Sequence, residues 1–433
     1  MAISDIPDVQ EHYKRGEELV GGTVGHLTSK QEQALKELWI KLLAHINANA
    51  DKPIKVKCDQ VQKTAFVAAE LSSSNSEAVE KWYEANESIA TNTKTQTVRD
   101  KIHFDDTHEP IVPLDFKPLF QDDASIRYFG HVFWQACMLH RNPDSYLLTF
   151  LRATVWDVSK AFERITYSIN WRATQAIDRL MWAGELDQNN KTMESGLTMK
   201  AGVDKFGSPV FSVRVRLNNP RDRSEGDAER FSAYSLETMA HIARKYNGNT
   251  GNTVLVYDFT NFKLENVDIT FIKNLLDTIN DTYPQLHCAS LLFVNSWLFS
   301  GVWRMIKGLL DPVSAKSTII VKDIDTLQTY IDRSQIVTEM GGSLPYKYEY
   351  VRPTTKDNVK MFDANGRKQA EDVFSQAVDA FAQETKSWIS ENTAADGSYI
   401  SASRSSAAAR FDNAAQTLDQ YIRARSPFER TEM

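Results

Sequence analysis

The residues best suited to chemistry lie close together in the segment HFDDTHEP. This segment contains the histidines and carboxylates His103, Asp105, Asp106, His108 and Glu109. Imidazole and carboxylate groups at such short spacing are typical ligands of divalent metals. The segment lies in a polar stretch of the chain, however, where no packed neighbours are expected to orient the imidazole rings. We therefore predict a solvated loop and no metal site.

The sequence carries none of the common motifs of catalytic sites. It has no Gly-x-Ser-x-Gly elbow, no His-Glu-x-x-His pair and no dinucleotide-binding fingerprint. The glycines of KYNGNTGNTVLVYD precede a predicted strand, whereas a phosphate-binding loop follows a strand and opens a helix. These glycines predict a turn. The sequence therefore predicts no catalytic residues and a protein that is not an enzyme.

Two arginines occupy alternate positions in the predicted strand VFSVRVRLN. Strand alternation places Phe211 and Val213 on one face of the strand and Arg214 and Arg216 on the other. A guanidinium group on a covered sheet must reach water, a carboxylate or an anionic ligand. An edge strand with a wet face would satisfy this requirement, and an open cavity on that face would satisfy it as well.

The segment FSGVWRMIKGLL predicts a helix with two apolar stripes. One stripe contains Val302, Met305 and Ile306, and a second begins with Phe299 and Trp303. An ordinary surface helix has a single apolar stripe, which faces the core. The second stripe therefore needs a partner of its own.

That partner is either the protein interior or a membrane. On the membrane interpretation the helix is a lid, whose aromatic rings lie at the level of the lipid headgroups and whose basic side chains contact anionic lipid. The candidate membrane-contacting residues are Trp297, Phe299, Trp303, Arg304, Lys307 and Leu310. The sequence pattern alone leaves both interpretations open.

Length, charge and cysteine content limit the class of protein. The chain has 433 residues, of which 42% are hydrophobic, enough for one large domain with extensions. A net charge of −7 argues against a nucleic-acid partner, because such proteins usually carry a basic surface. The three cysteines form neither a disulfide framework nor a metal-ligand pattern. Without a signal-peptide pattern or an apolar run of roughly 20 residues, we expect a cytoplasmic protein.

The distribution of apolar residues predicts an α/β fold class. Helical spacing in LTSKQEQALKELWIKLLAHINA predicts a first helix, with Thr28 or Ser29 as its N-cap and Gln31 or Glu32 as the capping-box partner. From about residue 200 onward strands and helices alternate. The apolar strands PVFSVRVRL, TVLVYDF, SLLFVNS and STIIVK are typical of a mostly parallel sheet covered by helices. The Ala- and Ser-rich SASRSSAAARFDNAAQTLDQYIRARS predicts a weaker helix that frays.

Four segments, taken in order, resemble one known family. They are YLLTFLRATVWDVSKAFERITYSINWR, GVDKFGSPVFSVRVRL, VYDFTNFKLENVDITFIKNLLDTINDTYP and LLFVNSWLFSGVWRMIKGLLDPVSAK. Together they look like a CRAL-TRIO domain, the lipid-binding domain of phosphatidylinositol/phosphatidylcholine transfer proteins. GHLTSKQEQALKELW and GGSLPYKYEYVRP resemble the flanks of the large fungal branch of that family. The resemblance covers about 26–47 and 128–353.

The resemblance implies a small helical N-lobe followed by an α/β lobe. The mostly parallel sheet of that lobe would floor an apolar pocket, and a movable helix matching about 297–313 would close it. The predicted regions are a flexible leader (1–25), the helical N-lobe (26–47 and 126–195), a polar and largely mobile insertion (48–125), the CRAL-TRIO lipid-binding domain (196–353), and a C-terminal helix and tail (366–433).

At the headgroup positions that the resemblance implies, this sequence carries different residues. Members that transfer phosphatidylinositol have Glu, often followed by Arg, after a Tyr-Pro pair, where Gln285 and Leu286 stand here. Their Lys corresponds to Ser317, although Ser314 matches their Thr. We therefore predict that inositol lipid is not the preferred cargo. The candidate cavity ligands are Arg214, Arg216, Thr253, Leu255, Tyr257, Ser314 and Lys316.

The function predicted from the pattern and the resemblance is the binding of one lipophilic ligand, a phospholipid, in a pocket gated by a helix. The protein would transfer this ligand between membranes or present it there, associating reversibly with the membrane surface from the cytoplasm. No cofactor other than the bound lipid is expected, and the sequence identifies no protein partner. The alternative is a sensor or scaffold that does not transfer lipid and that binds haem or another hydrophobic ligand.

Overall fold

The first half of the described chain is largely helical, which confirms the predicted helical N-terminal region. The computed structural model describes residues 8–16, 20–57, 111–113, 115–188, 190–222, 224–246, 252–294, 299–391 and 402–431. The elements of the first half are α1 (Val9–Arg15), α2 (Ser29–Ala48), β1 (Pro53–Lys55), β2 (Ile126–Tyr128), α3 (Phe129–Cys137), α4 (Pro143–Ala153), α5 (Val158–Thr174), α6 (Ile177–Ala183), a 3-10 turn (Gly184–Asp187) and α7 (Asn190–Ser195).

Helix α2 begins where the sequence predicts. The Thr28 hydroxyl accepts a hydrogen bond from the backbone N–H of Gln31, whose side chain accepts one from the Thr28 N–H, so the capping box is complete. The apolar stripe of the helix is fully buried, with Leu35, Leu38 and Trp39 each at 0% exposure. This local signal was therefore sufficient to fix both the start of the helix and its buried face.

The second half of the chain forms a five-stranded sheet in the order β3–β4–β5–β6–β7. Strand β3 is antiparallel to β4, and the remaining pairs are parallel, which confirms the predicted mostly parallel sheet. Its elements are β3 (Thr198–Val203), β4 (Pro209–Arg214), α8 (Glu225–Tyr246), β5 (Thr253–Asp258), α9 (Ile269–Thr282), β6 (His287–Phe293), α10 (Phe299–Lys307), α11 (Pro312–Ser317), β7 (Thr318–Val321) and α12 (Ile324–Leu327), with 3-10 turns at Val215–Leu217, Pro220–Asp222, Leu264–Asn266, Arg333–Gln335, Thr338–Met340 and Thr355–Phe362.

Both faces of the sheet are apolar. On the face that we call lower, Val210, Val254 and Leu291 belong to a buried cluster that includes residues of α1 and α12. On the upper face, Phe211 and Leu255 are buried together with residues of α8. Strands that are covered on both faces are apolar at every position, which explains the continuous apolar runs in the sequence.

Strand β4 ends earlier than predicted, at Arg214. Val215–Leu217 form a 3-10 turn instead, so the predicted alternation of sides stops there. The side-chain amides of Asn218 and Asn266 each donate to the backbone carbonyl of the other, at 2.7 and 2.8 Å. These bonds tie the segment after β4 to the loop that follows β5.

The segment predicted to be a flexible leader is packed against the sheet where the structure describes it. Helix α1 places Val9 and Tyr13 in the cluster on the lower face, and the Tyr13 hydroxyl donates to the Asp204 carboxylate. Gly22 lies against Trp156 and Arg152, where a Cβ atom would come within 2.9 Å of the indole ring. The prediction of flexibility is therefore wrong for residues 8–16 and 20–25.

The C-terminal region is a pair of long helices, α13 (Ala364–Ser390) and α14 (Ala402–Ile422), followed by a short helix α15 (Pro427–Arg430). Phe411 of α14 is fully buried and contacts the rings of Phe374 and Phe381, at centroid distances of 5.2 and 6.3 Å. The prediction that the second helix frays is wrong. Its alanines allow close packing against α13, and tertiary contacts outweigh its weak local signal.

Only the ends of the predicted mobile insertion, 48–125, are described. Strand β1 pairs with β2, and Ile111 and Val112 are buried at 1% and 4% exposure. The indole N–H of Trp182 donates to the Pro113 carbonyl at 2.8 Å. These ends are packed against the helical region, so the predicted mobile region is too wide. The HFDDTHEP segment lies outside the described residues, and its solvated loop stays a prediction.

Candidate functional site

A cavity of about 290 Å³ lies on the upper face of the sheet. Its floor is built from upward-facing residues of three adjacent strands, which are Val213, Leu255, Tyr257, Ser290 and Leu292. Strand alternation places these side chains on the same face of the sheet. The predicted ligands Leu255 and Tyr257 therefore line the cavity.

Helix α9 forms the opposite wall of the cavity. Its cavity-lining apolar side chains include Ile272, Leu275, Leu276 and Ile279, and all four remain only half-buried. Apolar side chains inside a folded domain are normally covered by other side chains. Here they surround open space, which is the arrangement found in binding sites for apolar ligands.

A half-buried cation lies at one end of this cavity. The Arg152 guanidinium of α4 donates from Nε to the side-chain oxygen of Gln285 at 2.6 Å and from Nη1 to the Gly22 carbonyl at 2.8 Å. Across the described ranges no carboxylate forms an ion pair with it. Burial lowers the pKa of Arg152 to about 10, which still leaves the group charged at neutral pH. This end of the cavity is therefore positively charged.

Hydroxyl groups line the same end. Ser314 and Ser317 of α11 face the cavity, and the Ser314 hydroxyl lies 3.1 Å from the side-chain oxygen of Asn280 at the end of α9. Ser314 also bonds to the Asp311 carboxylate, which caps α11. The combination of a cation and small hydroxyl side chains suits an anionic oxygen.

Arg214 and Arg216 do not line the cavity. The Arg214 guanidinium donates to the Gly196 carbonyl at 2.7 and 2.9 Å and pairs with Glu339 at 3.3 Å. Arg216 pairs with Asp258 at 2.8 Å and also with Glu339. Both arginines are satisfied by protein groups, so their prediction as ligands of an anion in the cavity is wrong. Of the partners considered for these arginines, it is carboxylates of the protein that they reach.

Two further predicted ligands lie outside the cavity lining. Thr253 is fully buried, and its hydroxyl donates to the Leu286 carbonyl and lies 2.6 Å from Nδ1 of His287. Lys316 lies on α11 next to Ser317, but Ser317 rather than Lys316 lines the cavity. One residue turns a helical side chain by about 100°, which separates these two neighbours.

Helix α10 has one apolar face rather than two. Phe299, Val302 and Ile306 are buried, and the Phe299 ring packs on Phe259 with a centroid distance of 4.7 Å. Trp303 is half-buried and stacks on Phe299 at 6.1 Å. Positions i, i+3, i+4 and i+7 fall on one side of a helix, so the two predicted stripes are a single stripe.

This arrangement corrects the predicted membrane-contacting set. Phe299 lies inside, and Leu310 lines the cavity. The exposed face of α10 instead carries Arg304, Lys307 and Met305, whose side chain is 50% exposed. Trp297 lies outside the described residues. None of the helices in the described ranges combines the length and apolarity needed to cross a bilayer.

Sequence reasoning missed Arg152 and the apolar wall of α9. The signal for Arg152 was a charged side chain directly after the buried apolar residues Phe150 and Leu151. The signal for α9 was its apolar spacing, with Ile272, Leu275 and Ile279 on one face. Neither signal distinguishes a cavity wall from a packed core.

Comparison with known proteins agrees with this architecture. Residues 193–342 match the family model of the CRAL/TRIO domain, and residues 121–166 match that of the CRAL/TRIO N-terminal domain. A CRAL-TRIO domain-containing protein of Schizosaccharomyces pombe is 29% identical over 69% of this chain and 67% of its own length. The phosphatidylinositol transfer protein CSR1 of Eremothecium gossypii is 25% identical over 94% of this chain and 97% of its own.

The solved structure of Sfh5 aligns with 49% of this chain and 78% of its own, at 15% identity and a TM-score of 0.40. The match to the N-terminal domain falls on the helical region, and the match to the CRAL/TRIO domain falls on the sheet with its cavity. The chain therefore contains one region similar to the CRAL/TRIO domain and, before it, one similar to the CRAL/TRIO N-terminal domain.

Proposed function

We propose that the protein binds one phospholipid molecule in the cavity and transfers it between membranes or presents it there. The observation that carries this proposal is an apolar cavity with a half-buried cation, Arg152, at its end, for which the described residues supply no carboxylate partner. The phosphate of the lipid would lie beside Arg152 and the acyl chains would lie between the sheet and α9. The relationship to a protein named as a phosphatidylinositol transfer protein supports the same class of function.

Two free-energy terms would favour such a complex. Each methylene group buried in the cavity contributes about 0.8 kcal/mol relative to water. The cavity must supply this free energy to hold the lipid, because a bilayer solvates the same chains equally well. A buried cation without a charged partner carries a desolvation cost that an anionic ligand would offset. A phospholipid supplies both an apolar chain and an anion.

The charged headgroup ligands expected for an inositol lipid are replaced here. Gln285 is bonded to Arg152, and Leu286 is buried at 7% exposure in the core beside Tyr283. Ser317 lines the cavity but carries a neutral hydroxyl instead of a charge. These positions support a phospholipid other than phosphatidylinositol as the preferred cargo.

Lipids extracted from the purified protein and identified by mass spectrometry test this function. We expect about one phospholipid per protein, with phosphatidylinositol not the main species, and transfer of a fluorescent phospholipid between vesicles. A protein that carries no lipid and transfers none would contradict the proposal. A Soret band in the visible spectrum would instead favour the haem-binding sensor.

We further propose that α10 is a gate whose exposed face meets the membrane. Met305 is flanked on this face by Arg304 and Lys307, so an apolar side chain and two cations face outward together. Such a surface suits an anionic bilayer. The inner face of the helix covers the cavity through Ile306, and Leu310 follows just beyond its end.

Replacing Met305 with aspartate is expected to reduce vesicle binding and the transfer rate several-fold without lowering the melting temperature. The substitution places a charge where lipid contact is proposed, and the exposed side chain contributes little to folding. Val373→Asp is the matched control, because Val373 is 53% exposed on α13, away from the cavity. Equal effects of the two variants, or no effect of Met305→Asp on vesicles containing phosphatidylserine, would argue against the gate.

A further inference from the structure

The short helix α15 lies on the upper face of the sheet, the face that also carries the main cavity. The ring of its Phe428 contacts Phe211 of β4 edge-on, with a centroid distance of 5.7 Å and an interplanar angle of 77°. Phe211 is fully buried on the upper face of the sheet. Phe428 therefore packs against β4, one of the three strands that form the cavity floor.

A second, much smaller cavity of about 20 Å³ lies beside Phe428. Four residues, Thr198, Phe231, Ser235 and Met239, line both this space and the main cavity. Only side chains therefore separate the two. A volume of about 20 Å³ holds about one water molecule, so the small cavity is too small to bind a ligand by itself.

The main cavity extends across the sheet toward this point. It is lined by Thr318 on β7 and by Thr198 on β3, the two edge strands. Four inter-strand spacings of roughly 4.8 Å separate these strands, a span of about 19 Å. Ser314 and Ser317 immediately precede β7, whereas Phe231 and Met239 line both the main cavity and the small cavity beside Phe428. A lipid chain that extends along the main cavity to Phe231 and Met239 would therefore end beside Phe428.

Ion pairs on both sides hold α15 in place. Arg423 pairs with Glu429 at 2.7 Å, and Arg430 pairs with the buried Glu185 at 2.5 Å. Ser426 caps the helix through a capping box with Glu429. These contacts hold the Phe428 ring against the sheet, and none of them involves α10.

We infer that Phe428 is a specificity-determining residue that limits the acyl-chain length of the bound lipid. The ring lines the space into which the apolar end of the main cavity would otherwise continue. A longer chain must displace this ring or bend, whereas a chain that stops before it fits. This inference rests on the proposed lipid-binding function and adds a residue outside the matched family domains, which end at 342.

The test is Phe428→Ala, with lipids extracted and analysed by mass spectrometry. Joining the two cavities should shift the chain-length distribution of the bound phospholipid toward longer chains by two or more carbons. In competition between phosphatidylcholines that differ only in chain length, we expect the variant to favour the longer one by up to about fourfold per added methylene relative to the unaltered protein. Phe362→Ala is the control, because Phe362 is 41% exposed and lines neither cavity.

The outcomes separate this inference from the proposed function. If the unaltered protein carries no lipid, the function itself fails. If it carries lipid and Phe428→Ala binds the same chain lengths, the function stands and the role of Phe428 is overturned. Should the alanine variant fail to fold, Phe428→Leu retains apolar packing and removes part of the ring, so a smaller shift in the same direction would support the inference and an unchanged distribution would overturn it.

Discussion

Replacing Asp144 with alanine is expected to lower the free energy of unfolding by about 3–5 kcal/mol, the cost typical of removing one partner from a buried ion pair. Asp144 is 0% exposed and pairs with Arg404, whose side chain is 1% exposed. The same carboxylate accepts a hydrogen bond from the indole N–H of Trp39 at 2.7 Å. Its loss leaves a charged guanidinium and an indole donor buried without this acceptor.

Chemical unfolding followed by tryptophan fluorescence measures this change. Asp277→Ala is the control, because its ion pair with Lys273 is exposed at 55% and 57%, and such pairs contribute about 0–1 kcal/mol. The double variant Asp144→Leu with Arg404→Met should recover part of the loss, since it removes both charges. A decrease below about 1 kcal/mol for Asp144→Ala would show that the pair does not hold α14 to the helical region.

Replacing Arg152 with glutamine is expected to weaken phospholipid binding by more than tenfold. A charge-assisted hydrogen bond to a phosphate contributes about 1.5–3 kcal/mol, and the variant retains only a neutral donor. Stability should not fall, because the described neighbours of Arg152 are the neutral oxygens of Gly22 and Gln285 and no carboxylate is left unpaired. Fluorescence titration with phosphatidylcholine, together with a melting curve, measures both effects.

Diacylglycerol is the decisive comparison for this variant, because it has the same chains without a phosphate. Its binding should change little in Arg152→Gln, and Arg152→Lys should restore part of the phospholipid affinity. Arg333→Gln controls for the loss of one positive charge, since Arg333 is exposed and does not line the cavity. Equal losses for phospholipid and diacylglycerol would mean that Arg152 shapes the cavity rather than binding the phosphate.

Elements whose stabilising contacts are local could be predicted from the sequence. The capping box of Thr28 and Gln31 lies within four consecutive residues, and the apolar stripe of α2 repeats within the helix itself. The strands β5 and β6 are apolar along their length because both faces are covered, which indicates a parallel sheet without knowledge of strand order. Fold class and the helical N-terminal region were therefore predictable.

Features that depend on distant partners could not be predicted in this way. Arg216 bonds to Asp258 and Glu339, which lie 42 and 123 positions along the chain, so its role depended on which carboxylates the fold brings near it. The prediction that Phe299 faces outward on α10 was wrong, because the pattern shows which side chains are apolar but not which of them contacts Phe259. Likewise α14 carries a weak local signal and is a regular helix because Phe411 packs between residues of α13.

The sequence by itself determined the fold class and the start of α2, since these follow from short-range periodicity and from motifs that resemble a known family. Only the tertiary structure decided that Arg152 is the cation in the cavity and that Arg214 and Arg216 are not. It also brought Phe428 against Phe211 of β4, beside a small cavity that shares four lining residues with the main one. The physical reason is that charge compensation and cavity shape depend on which groups from separate segments lie within a few ångströms, and sequence periodicity carries no information on those distances.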